Sequence, residues 1–234
     1  DFNQKYLTNY FLGLIKSNND ENEQALKFFN SSKFLIQKHD NFLKEYIFSL
    51  VLNGKVNKAI NQIKTSKNSI NANFFEANLL HVIDSFKRKD FKQTSKRLKK
   101  LEMYQDDGTY EFLIYKILKN YNDLFLKKKI NKIDNSFGQL GSITYAFQNC
   151  YLNTDKTNPS FLKVMNTSEN DYSRYLFFYL ENTIRNNELK KAIELSSNID
   201  LLSSTLLIAQ SKIWIDQNKF KELGKYFSCK NEND

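Results

Sequence analysis

The sequence predicts an all-α protein, an α-solenoid of antiparallel helical hairpins, on three observations. The 234 residues include only six Gly and a single Pro, Pro159, so tight turns and β-hairpins lack the residues that usually form them. Apolar residues recur at helical spacing along most of the chain. Small residues recur at a nearly constant interval, which is typical of repeat architectures.

The interval is set by residues 10–29, where a polar break at residues 18–23 separates two apolar runs, as expected for a helical hairpin. The small residue of the second helix is Ala25, and its equivalents are Ala59 and Thr94, which gives spacings of 34 and 35 residues. Large apolar residues follow each of them four positions later, on the same helical face: Phe29, Ile63 and Leu98. In the first helix, Gly13 predicts a close approach of its partner, and Ile47 and Val82 occupy the equivalent positions.

This pattern resembles the tetratricopeptide repeat family through the Leu12-Gly13 pair, the small residue at Ala25 and the large residue at Phe29. The resemblance is degenerate, because Asn9, Lys16 and Gln37 stand where the family has Trp, Tyr and Pro. It implies that the hairpins stack into a right-handed superhelix whose concave groove is lined by the first helices.

The repeats divide the chain into three parts. Residues 1–104 are expected to form three hairpins, residues 105–168 degenerate helical repeats with a break at Asn158-Pro159, and residues 169–234 two further hairpins, containing "NNELKKAIEL" and "NKFKELGKYF". We expect one continuous solenoid that has been cut short at its C-terminus.

No pattern of catalytic, cofactor-binding or metal-ligating residues is present in the sequence. The two histidines, His39 and His81, do not stand at ligand spacing from other ligand types, and no glycine-rich phosphate loop occurs. We interpret Cys150 and Cys229 as ordinary small apolar residues, because their spacing indicates neither a zinc site nor a disulfide framework. We therefore expect no enzyme activity, no cofactor, no metal and no transmembrane segment, since charged and polar residues interrupt each apolar run.

A basic run at residues 87–100 holds eight Lys or Arg and one Asp, a local charge of +7 against a formal +9 for the chain. On an amphipathic helix, its apolar residues would share one face and the lysines would occupy the other. The predicted anion patch consists of Lys92, Lys96, Lys99 and Lys100. The alternative interpretation is a solvated outer face in a Lys-rich protein.

The resemblance implies a protein-interaction scaffold that binds a peptide or helix in a largely apolar groove. Mapping the inward positions of the first helices gives the groove residues Tyr10, Leu14, Lys44, Phe48, Leu79 and Ile83. The positions at which related proteins hold a carboxylate clamp carry Tyr10, Leu14, Glu45, Glu76 and Leu80, so no clamp is expected.

Two other functions remain open at this stage. The chain could be a helical-repeat binder of RNA or another polyanion through residues 87–100, or a targeting module of a larger enzyme. The Asn, Ile and Lys bias is typical of an AT-rich genome, and we expect a bacterial source. The sequence leaves the compartment, cytoplasmic or periplasmic, and the oligomeric state open.

Overall fold

The computed structural model describes residues 4–39, 41–66, 72–104, 106, 108–131, 137–166, 173–197 and 206–230, with the backbone alone at 173 and 174. Over these ranges the chain forms thirteen α-helices and no strand, so the all-α prediction is confirmed. The helices are α1 (Gln4–Asn18), α2 (Asn22–Ser31), α3 (Phe42–Leu52), α4 (Val56–Thr65), α5 (Phe75–Lys87), α6 (Phe91–Leu98), α7 (Tyr110–Lys127), α8 (Gly138–Leu152), α9 (Thr157–Asn166), α10 (Ser173–Arg185), α11 (Leu189–Ser196), α12 (Leu206–Asp216) and α13 (Phe220–Phe227).

The chain divides into two compact units, residues 1–122 and 123–234, and the boundary falls within α7. In the first unit α1 packs on α2, α3 on α4 and α5 on α6, which gives three consecutive hairpins. In the second unit the hairpins are α8 with α9, α10 with α11, and α12 with α13. The predicted boundaries at 105 and at 168 and 169 fall on residues outside the described ranges.

All six hairpins close with the same backbone turn. The turn after each first helix contains one residue with positive φ, between 50° and 69°. These turn residues are Asp20, Gly54, Lys89, Asn153, Asn187 and Asn218. The next N–H donates to a carbonyl five residues earlier, for example Glu21 to Lys16 at 2.9 Å and Lys55 to Leu50 at 2.8 Å. This is the Schellman pattern of helix termination.

The turn residues recur at 34 and 35 residues in the first unit and at 34 and 31 residues in the second. The backbone therefore shows the interval that the small residues predicted. Five of the six turns use a residue other than Gly, and three of those use Asn, which tolerates the left-handed region better than most residues. This explains how a chain with few glycines makes so many sharp turns.

The close approach predicted at Gly13 is confirmed. A Cβ at this position would lie 2.8 Å from Cε1 of Phe29, closer than carbon atoms pack. The small residues of the three second helices, Ala25, Ala59 and Thr94, are all 0–1% exposed. Each first unit hairpin thus buries the residues that the repeat pattern selected.

Two corrections concern the second unit. The chain does not break at Asn158-Pro159, because Pro159 lies in the first turn of α9, where its missing N–H has no intrahelical acceptor. Cys150 and Cys229 are not ordinary apolar residues, since they form a disulfide that joins the end of α8 to the residues after α13. Packing of these helices brings together two Cα atoms, 5.7 Å apart, that are 79 residues apart in sequence.

The packing at Gly13 gives the first prediction. Gly13→Ala should destabilise the first unit by about 1–3 kcal/mol, because the added methyl group must displace the Phe29 ring. Chemical denaturation followed by circular dichroism measures the change, and Phe29→Leu in the same chain should recover part of the loss.

The matched control is Gly224→Ala in α13, where the added Cβ meets only Glu181 Oε1 at 3.9 Å. This variant should gain up to about 1 kcal/mol from the better helix propensity of Ala. A Gly13→Ala protein as stable as the unchanged chain would contradict the close approach.

The disulfide gives the second prediction. Cys229→Ser should lower the unfolding free energy of the second unit by about 4 kcal/mol, because the bond closes a long loop in the unfolded chain. Trp214, the one Trp of the chain, lies in this unit and reports its urea unfolding by fluorescence. A reductant should destabilise the unchanged protein and leave a Cys150→Ala/Cys229→Ser variant unaffected. Alkylation of both cysteines in denatured protein without reductant would show that no bond forms.

Candidate anion-binding site

The basic run is built around the third hairpin. Lys89 takes the left-handed turn conformation, and the Asp90 side chain caps α6 by accepting from the N–H of Gln93 at 3.0 Å. Residues 87–100 are therefore not one helix, as the sequence suggested, but the end of α5, a turn, α6 and a second turn. The cap fixes where α6 begins and hence which of its side chains face outward.

The predicted separation of faces is observed on α6 and the turn after it. Thr94, Leu98 and Leu101 are 0–4% exposed and pack inward. The four lysines of the predicted anion patch, Lys92, Lys96, Lys99 and Lys100, are all exposed.

Three of these four lysines line a cavity of about 680 Å³ in the first unit. The lining residues are Ile63, Lys64, Ala72, Asn73, Asn78, His81, Gln93, Lys96, Arg97, Lys99, Lys100 and Met103. Five of them are cationic, and among the described residues no acidic side chain lines the cavity. The volume is in the range of small-ligand pockets.

The charges of the cavity are of two kinds. Arg97 is held in place, because its Nη1 donates to the carbonyl oxygen of His81 and lies 3.4 Å from Asp84 Oδ2. In the part of the chain that the structure describes, the cavity lysines form no ion pair. Among the described residues, no carboxylate therefore neutralises their positive charge.

His81 shows the effect of these charges. Burial first, and then the positive charges of Arg97 and Lys64, lower its pKa from the ordinary 6.5 to about 4, although Asp84 opposes the shift. The buried Nδ1 of His81 has no hydrogen-bond partner among the described residues. The imidazole is thus neutral at pH 7, on the wall of a positively charged cavity.

Amide side chains form another part of the wall. Asn78 Nδ2 donates to Asn73 Oδ1 at 3.1 Å and to the Phe74 carbonyl at 3.1 Å, so its orientation is fixed. Asn73 also approaches Met103 Sδ, at 4.0 Å. These groups offer hydrogen-bonding positions beside the cationic ones.

The sequence reasoning missed Lys64, His81 and Arg97 as members of this site. One signal was present for Lys64, because it stands 35 residues before Lys99, at the same position of the preceding repeat. Ligand spacing in the sequence could not identify His81, since the cationic residues near it, Lys64 and Arg97, lie on other helices.

The six predicted groove residues are not all surface residues. Tyr10 is 4% exposed and packs against Phe29 and Phe42, so its side chain belongs to the core and not to a groove. Leu14 and Leu79 are partly buried against core clusters.

The other three groove residues lie on α3 and α5. Lys44 pairs with Glu76 at 3.1 Å and lies 5.8 Å above the Phe48 ring. Phe48 and Ile83 are 39% and 47% exposed. Only these two offer a large apolar surface among the six.

No group of three or more His, Cys, Asp or Glu side chains in the described ranges is arranged to hold a metal ion. None of the helices that the structure describes is long and apolar enough to cross a membrane.

Comparison of the chain with protein-family models, with curated proteins and with solved structures finds no match. The site therefore has to be interpreted from its own geometry and charge.

The third prediction follows from the lowered pKa of His81. The unfolded state, with a pKa near 6.5, binds a proton before the folded state does, so stability falls as the pH falls from about 6.5 to about 4. His81→Gln removes this contribution. The unfolding free energy of the unchanged protein should therefore fall relative to that of the variant as the pH is lowered over that window. Urea titrations at several pH values measure it. A difference that does not change with pH would contradict the shift.

Proposed function

We propose that this chain is a non-catalytic helical-repeat scaffold that binds an anionic segment of a partner protein in the cavity lined by Lys64, Lys96, Arg97, Lys99 and Lys100. The observation that carries the proposal is the concentration of five cationic side chains on one cavity without a lining acid in the described residues. Clustered cations attract anions and raise the rate of association.

A protein segment fits the wall better than a nucleic acid does. Proteins that bind single strands combine positive charge with aromatic side chains on which bases stack. The described lining contains no Phe, Tyr or Trp, and it contains Asn73, Asn78 and Gln93, whose amides can pair with peptide groups. Nucleic acid remains the second candidate, favoured by the exposure of Lys92 next to this cavity's lysines.

The finer architecture is also part of this proposal. We propose that consecutive hairpins stack as in an α-solenoid of the tetratricopeptide type, which the common turn and the 34 and 35 residue intervals in the first unit support. An apolar groove is a weaker basis for function, because Tyr10 is in the core and Lys44 is paired with Glu76.

The fourth prediction tests the cavity with a labelled peptide of glutamate residues and a single-stranded oligonucleotide of equal net charge. The peptide should bind in a salt-dependent manner, measured by fluorescence anisotropy at low ionic strength. The variant Lys96→Gln/Lys99→Gln/Lys100→Gln should bind about tenfold more weakly, at roughly 0.5 kcal/mol for each exposed ion pair.

The matched control is Lys27→Gln/Lys55→Gln/Lys58→Gln, which removes the same charge from exposed positions of the first unit outside the cavity. If both triple variants lose affinity equally, net charge and not the cavity accounts for the binding. Binding of the oligonucleotide without the peptide would replace the proposal with the second candidate.

A further inference from the structure

His81 forms part of the wall of the cationic cavity. It lies on α5, and it lines the same cavity as Lys64 of α4 and Arg97 of α6. Its side chain is half-buried, and its buried Nδ1 has no hydrogen-bond partner among the described residues. An imidazole in this setting can gain a proton and a ligand together.

Among the described residues, charged groups face His81 from α4, from α5 and from α6 with the turn after it. Lys64 of α4, Arg97 of α6 and Lys100 after α6 disfavour its protonation, and Asp84 of α5 favours it. Asp84 is itself shared between Arg88, at 2.8 Å, and Arg97. Burial and the excess of positive charge together keep the imidazole neutral while the cavity contains no anion.

We propose that His81 is a pH-dependent contact of the anion site, which becomes protonated when an anion enters the cavity and so tightens binding under acidic conditions. This proposal rests on the proposed function, since it concerns the same cavity. A bound anion neutralises the field of the lysines and favours the charged imidazolium. By linkage, whatever raises the proton affinity of His81 on binding also raises the affinity for the anion on protonation.

The fifth prediction uses a sulfated oligosaccharide as the probe, because its sulfate groups keep their charge throughout the pH range tested. Because the free pKa of His81 is about 4, lowering the pH from 7.5 to 5.0 should raise the affinity about twofold for a rise of one in its pKa on binding, and about tenfold for a rise of two. Calorimetry in buffers of different ionisation enthalpy should detect proton uptake on binding below neutral pH.

Two measurements assign the effect to His81. The chain has only two histidines, so proton NMR can follow both imidazoles, and the probe should raise the pKa of His81 while the His39 signals serve as an internal reference. His39 is partly buried beside the Tyr10 ring, with the ring centroids 4.7 Å apart, and does not line the cavity. His81→Gln should remove the pH dependence of affinity, and the control His39→Gln should retain it.

The possible failures are distinguishable. If neither this probe nor the glutamate peptide binds at any pH, the anion-binding function itself is wrong. If it binds with the same affinity from pH 7.5 to 5.0 and the NMR titration of His81 does not move, the function stands and the role of His81 is overturned. The NMR measurement uses the unchanged protein, so it decides the question even if His81→Gln folds poorly.

Discussion

The left-handed turn between the two helices of each hairpin is the constraint on which the rest of the structure depends. It ends the first helix with two backbone hydrogen bonds and reverses the chain within three or four residues. Because the turn has the same form in all six hairpins, residues at a fixed distance from it meet in the same way. Ala25, Ala59 and Thr94 each lie five residues after a turn residue and are all buried.

The same distance rule extends to the second unit, where the pattern is harder to see in the sequence. Ala192 and Leu223 also lie five residues after their turn residues, Asn187 and Asn218, and both are fully buried. The first hairpin of that unit, α8 with α9, differs, since Asn158 takes this position and bonds to Thr183 and Asn182 of α10. A polar contact between helices replaces a small apolar one there, which is why the repeat is difficult to recognise in this region.

The sequence predicts much of this fold and only part of the site. The helices and the repeat interval are predictable because packing within a hairpin requires small or large residues at fixed positions, such as Gly13, Ala25 and Phe29. These positions recur from one hairpin to the next. The disulfide could not be predicted, because the approach of Cys150 and Cys229 depends on tertiary packing across 79 residues. The groove position of Tyr10 is implied by the family resemblance alone. That resemblance does not indicate which side of α1 packs against the neighbouring helices.

The anion-binding site was likewise predictable from the sequence only in part. Lys96, Lys99 and Lys100 were predictable from a charged run, but the cavity exists only because Lys64 and His81 are added from α4 and α5. That addition also has a thermodynamic consequence. Like charges placed together destabilise the folded chain, and an anion that binds only the folded state offsets that repulsion.

Burial first, and then the positive charges of Arg97 and Lys64, lower the pKa of His81, so the imidazole stays neutral beside its cationic neighbours. Asp84 could have relieved this field, but it is already shared between two arginines. The cavity lysines thus have no acidic partner within the described residues. A cavity that stays positively charged at a cost in stability is the arrangement expected where an outside anion completes the structure.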